Sequence, residues 1–132
     1  MENDVLKSKM MEYFSTQKEL CIDNQQILDI LPDLLKLQNH KGLIYGRSWC
    51  KHEDLSAYFN LERKFDRISN IMGKAMKQGL DSIYSEQSST PTETFVDTIV
   101  DLGLYALMWV GMIKELHPEE YQKFIKNNQL DK

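Results

Sequence analysis

The stretch FVDTIVDLGLYALMWVGMI, Phe95 to Ile113, decides the fold. It is apolar enough to suggest a membrane span, yet it carries Asp97 and Asp101. Each Asp near the centre of a span costs roughly 2.5–3.5 kcal/mol on insertion scales. No positive cluster flanks its start. The stretch therefore reads as a helix of a soluble bundle, apolar on almost every face and central in the packing.

The segments around it repeat the helical theme. The chain holds three prolines and six glycines, and apolar residues recur at steps of three and four. A first helix is predicted from about Asp4 to about Lys18. A second is predicted from Asp23, as N-cap, towards Asn39, broken or kinked at Pro32 and closed by Lys41-Gly42. A long third helix is expected from Asp54, as N-cap, to about Tyr84, ending or bending near Gly79. Its seam is read as Tyr58, Leu61, Phe65, Ile68, Met72, Ala75 and Gly79. The segment Glu86 to Glu93 reads as a loop, with Thr90 as N-cap and Pro91 opening the helix that runs to about Leu116. Pro118 opens a last short helix, and the tail after it is expected to fray. With almost no strand signal and short connections, residues 1–132 are expected to form one all-α domain, a helical bundle of four to five helices.

Composition narrows function. The net charge of −4 argues against a dedicated binder of nucleic-acid polymers, but a phosphate site needs only a few basic groups or a metal. The mixed, charged start MENDVLKSKMMEYF has no signal-peptide pattern, so a cytoplasmic protein is expected. Cys21 and Cys50 then read as free thiols. His40, Cys50 and His52 lack a standard zinc spacing and a fourth ligand.

Chemistry is suggested by acids on the apolar helix. Glu93, Asp97, Asp101 and Tyr105 recur every four residues, each step advancing about 40° around a helix. Carboxylates on a core face need a positive partner. The third helix offers Lys64 and Arg67 for acids or phosphates, and Glu62 and Asp66 as further oxygens. Two readings stay open: an interhelical salt-bridge network, or a site for Mg²⁺ and phosphate. The stretch YGRSWCKHEDL, Tyr45 to Leu55, is too rich for a linker. Tyr45 and Trp49 offer faces for a base and Arg47 or Lys51 a phosphate contact, or the aromatics plug the bundle end.

These pieces taken in order resemble the nucleotide modification associated domain 1 family of bacteria and phages. They are Tyr45-Gly46-Arg47-Ser48-Trp49, then Lys64-Phe65-Asp66-Arg67-Ile68, then Glu93 with Asp97-Thr98-Ile99-Val100-Asp101 and Tyr105, over residues 40–113. That family looks like a branch of the MazG-like all-α nucleoside triphosphate pyrophosphohydrolases. The resemblance implies a homo-oligomer, without membrane attachment, in a bacterial or phage-infected cytoplasm. It also implies Mg²⁺ held by acids on two helices, and cleavage of a nucleoside triphosphate to monophosphate and pyrophosphate. Carried over, Asp97 and Asp101 would hold the metal, and Glu62 and Glu93 would act as ligand or base. Lys64 and Arg67 would hold phosphates, with Tyr45, Arg47, Trp49 and Tyr105 contacting the substrate. The pattern departs from the family's in one respect: the acids step by four where MazG-type enzymes step by three. A protein that binds a nucleotide or nucleotide-derived signal without cleaving it is the alternative, and a purely structural bundle the third reading.

Overall fold

The computed structural model describes residues 5, 8–10, 12, 20–85 and 93–131. Among them the chain is all-α, a helical bundle with no strand. It divides into two compact units, Met1–Arg47 and Ser48–Lys132.

In the first unit, residues 5, 8–10 and 12 of the first expected helix are helical, and the rest of that helix lies outside the described residues. Helix α1 spans Ile22–Tyr45 and buries Leu28 and Pro32. The helix runs through Pro32 without the break that was one of the two outcomes expected there, and it continues past Lys41-Gly42, which was expected to close it. Pro32 removes one N–H, so Leu28 loses its usual i+4 donor, but a single lost bond inside six turns does not end a helix. The stop comes at Gly46, whose φ of 63° a residue with a Cβ resists, and whose N–H donates to the Gly42 carbonyl at 2.8 Å. The N-cap is Cys21, and Asp23 sits inside the first turn, where its charge favours the helix dipole.

The second unit opens with a 3₁₀ turn, Ser48–Cys50, followed by α2 (Asp54–Gln78), α3 (Ser82–Ser85), α4 (Phe95–Leu116) and α5 (Pro118–Asn127). Helix α2 packs along α4. Helix α5 folds back on α4, where the Lys114 ammonium lies over the Tyr121 ring, 4.8 Å from its centre. Bonds between α2 and α4 pair Asp54 with Trp109, Lys64 with Asp101 and Arg67 with Thr98. Numbers rise on one helix as they fall on the other, so the two are antiparallel.

The seam of α2 differs from the expected one. Ala57, Ile71 and Ala75 are buried, and Leu61, Lys64 and Ile68 half-buried, while Tyr58 and Phe65 are exposed. Leu61, Ile68, Met72 and Ala75 were in the expected set and are buried or half-buried, but the stripe passes through Lys64 rather than Phe65. Spacing of large apolar residues pulls the reading one position aside, because a lysine in a seam carries no hydrophobic signal. The helix ends at Gln78, with Gly79 at φ 115° closing it at the expected end point, and Ser82–Ser85 is a separate helix rather than its continuation to Tyr84.

Helix α4 is not enclosed on every face, as its composition suggested. It buries Thr98, Leu104 and Met112 towards its neighbours, and leaves Val96, Ile99, Leu107 and Val110 exposed. By length and composition it is the one helix among the described residues that is apolar enough to cross a membrane. Its N-cap is Thr94, not Thr90; residues 86–92, with the expected loop and Pro91, lie outside the described residues. The last helix begins at Pro118, as its position predicts.

Candidate functional site

Charge gathers where the middle of α2 meets the start of α4. Lys64 Nζ lies 2.9 Å from Glu93 Oε1 and 2.9 Å from Asp101 Oδ2. The lysine and Asp101 side chains retain 13% and 16% exposure. One ammonium therefore bridges two carboxylates that would repel each other without it. Burial works against the Lys64 charge, but the hydrogen bonds to Asp101 and Glu93, and their charges, more than offset it and raise its pKa above the usual lysine value. The hydrogen bond from Lys64 holds Glu93 below the usual carboxylate range, opposed by burial and aided by the Lys64 charge, Thr98 and Arg67.

One turn along α2, Arg67 completes the cluster. Its Nε donates to Thr98 Oγ1 at 2.9 Å and its Nη2 to the Glu93 carbonyl at 3.1 Å. Thr98 is fully buried, and its hydroxyl lies 3.2 Å from both Glu93 Oε1 and the Thr94 carbonyl. The buried hydroxyl is thus satisfied as donor and acceptor, and it fixes the guanidinium. Two faces of the Arg67 fork differ in consequence. The Nε edge is spent on neutral oxygens, and Glu93 Oε1 stands 3.9 Å from Nε. The far edge, with Nη1, makes no hydrogen bond among the described residues, and the side chain is 29% exposed.

The acidic stripe read from the sequence separates into two parts. Glu93 and Asp101 join Lys64. Asp97 is exposed and closes a capping box: its Oδ2 accepts from the Thr94 N–H at 2.7 Å and the Thr94 hydroxyl at 2.8 Å, and its own N–H donates to Thr94 Oγ1. Tyr105 lies a turn beyond Asp101, half-buried. Glu62 stands two residues from Lys64, about 200° around α2. It is exposed and accepts from Tyr58 OH at 2.7 Å. Asp66 is exposed on the same outer side. Among the described residues no three Asp, Glu, His or Cys side chains gather as a metal shell. The two acids that do converge hold an ammonium, with a guanidinium beside it, and a divalent ion would meet both positive charges. As arranged, the cluster fits lysine and arginine rather than magnesium.

The aromatic stretch divides at the unit boundary. Tyr45 ends α1 and Arg47 follows it, both exposed and both in the first unit. Trp49 is half-buried in the 3₁₀ turn, where its carbonyl accepts from Asn60 Nδ2 at 2.9 Å and so ties the turn to α2. Asp54 is the first residue of α2, not its cap, and accepts from Trp109 Nε1 at 2.6 Å. Cys21 and Cys50 are not joined in a disulfide, as expected. Thr98, Asn60 and Trp109 carry bonds that sequence reasoning did not assign. A Thr in an otherwise apolar run beside two Asp was the available signal for Thr98.

No family model matches the chain, and no solved structure matches it. Among curated proteins it is similar to the Gene 30 protein of Bacillus phage SP01, at 28% identity over 127 residues, which cover 88% of this chain and 56% of that protein. The chain thus spans little more than half the length of that phage relative.

Proposed function

We propose that the chain binds a nucleotide or nucleotide-derived signal through the Arg67 edge of the α2–α4 cluster and releases it unchanged, in the cytoplasm of a bacterial or phage-infected cell. The observation that carries this reading is the state of Arg67. Its guanidinium is oriented by neutral oxygens, half of its fork is committed, the other half makes no hydrogen bond among the described residues, and the side chain is 29% exposed. That is the arrangement a bidentate phosphate contact needs: a fixed, charged, planar donor pair with its entropy already spent. Trp49 is the aromatic of the same unit assigned to the base. Lys64 supports the site from within, by keeping Glu93 and Asp101 from repelling the phosphate outright. Tyr45 and Arg47 receive no role in this reading.

Hydrolysis with Mg²⁺ is the second reading. It is favoured by one observation: Glu93 and Asp101 approach a single cation from two sides. It requires the ammonium to leave that position, and Asp97 and Glu62 to leave their present bonds.

Calorimetry with a panel of nucleoside mono-, di- and triphosphates, with and without Mg²⁺, separates the two. Binding that needs no Mg²⁺, with ligand recovered intact and affinity reduced about tenfold or more by Arg67→Gln, is the expected result. Pyrophosphate release with Mg²⁺ moves the account to hydrolysis. No heat with any nucleotide discards both.

A further inference from the structure

Thr98 is the one buried polar side chain among the described residues, at 0% exposure. Its hydroxyl meets Arg67, Glu93 and Thr94, and all of them lie with it in the unit Ser48–Lys132. The oxygen accepts from Arg67 Nε at 2.9 Å. Its single hydrogen has two acceptors at 3.2 Å, Glu93 Oε1 and the Thr94 carbonyl. Glu93 Oε1 itself stands 3.9 Å from Arg67 Nε, beyond hydrogen-bond distance. A neutral hydroxyl thus stands between a cation and an anion: it accepts from one and is in reach of the other.

A valine in place of Thr98 has nearly the same shape and no oxygen. Arg67 Nε then lacks its acceptor, and a charged N–H is costly to leave unpaired at a part-buried site. Glu93 Oε1 needs to come only about 1 Å closer to reach the length of a charge-assisted bond. Direct pairing would spend the guanidinium on a carboxylate, which competes with phosphate for the same planar donors. A hydroxyl orients the arginine and leaves its charge for a ligand, whereas a carboxylate orients it and cancels the charge. We propose that Thr98 is a positioning residue, whose hydroxyl holds the Arg67 guanidinium apart from the Glu93 carboxylate and so keeps its outer edge for phosphate. This inference rests on the reading of Arg67 as the phosphate contact.

Two readouts on the full chain test this: calorimetry with nucleoside mono-, di- and triphosphates, and the Arg67 Nε–H signal without ligand. Thr98→Val is expected to weaken binding about tenfold, and Thr98→Ser, which keeps the oxygen, to stay within about twofold of wild type. Thr98→Cys, whose sulfur is a weak acceptor, should fall between them, and it serves if the valine variant does not fold. The Nε–H signal should move in Thr98→Val. Adding Glu93→Gln to Thr98→Val should restore most of the lost affinity and return the signal towards that of Glu93→Gln alone, because a neutral amide no longer captures the charge. A loss that Glu93→Gln leaves in place reduces Thr98 to a packing role and overturns the proposal. So does a valine variant that binds like wild type, or a serine variant as weak as the valine one. If wild type binds no nucleotide, the reading of Arg67 falls. The Nε–H signal still judges the spacer in that case, and a signal unmoved by Thr98→Val overturns it as well.

Discussion

Lys64→Met lowers the stability of the chain by about 3 kcal/mol, the low end of what removing one partner of a buried ion pair costs. The methylene stem is largely retained by Met, so the loss is that of the charge. Glu93 and Asp101 are left sharing a mostly buried space with no cation between them. The partial exposure of Glu93 lets water relieve some of the penalty, which keeps the effect near the lower limit. Adding Asp101→Leu to Lys64→Met removes the stranded carboxylate and is expected to recover most of the loss, because an apolar pair replaces an ionic one at little net cost. Urea unfolding of the three chains measures this. A loss below about 0.5 kcal/mol, in the range of ordinary surface changes, would mean the cluster is solvated and energetically idle.

The second large effect appears in acid. Glu93 has its pKa depressed by folding, from a usual value of 4.5. A group of that kind contributes stability that is fully present above its unfolded pKa and is lost as pH falls through its folded one. Lys64, raised by folding, contributes over the whole range below its usual value of 10.5 and loses that contribution only in strong alkali. The Glu93 contribution to stability should therefore be flat from neutrality to about pH 5 and fall steeply below it. Glu93→Gln should be less stable than wild type at pH 7 and lose less on acidification, so the two curves converge towards low pH. Parallel curves in thermal melts from pH 7 to pH 3 would show that Glu93 is not tied to Lys64 in solution.

Both effects rest on residues whose place the sequence disclosed unequally. The helical class was legible because apolar periodicity and scarce turn residues agree along the chain, and Pro118 marks a helix start by its fixed φ. The α2–α4 pairing was legible in kind: a basic pair on one helix and acids on an apolar one need each other. Its register was not. Asp97 lies on the same stripe as Glu93 and Asp101, and spacing alone cannot show that it has turned to cap Thr94. That choice depends on where the helix begins, and Thr90 and Thr94 both stand three residues before an acid. Tyr58 and Phe65 mislead for a different reason. They are large and apolar, so a periodicity argument sends them inward, whereas Ala57 and Ala75 at 1% exposure set the close approach of the helices.

A nucleotide held at Arg67 would be reported by that side chain itself. In a ¹H–¹⁵N spectrum of the full chain, titrated with a nucleoside triphosphate without Mg²⁺, the Arg67 Nε–H signal should shift in a saturable way. Amides around Trp49 should shift with the same midpoint. An Arg67 signal that stays fixed to millimolar nucleotide, while the protein remains folded, would contradict the account and leave the cluster as an interhelical salt-bridge network.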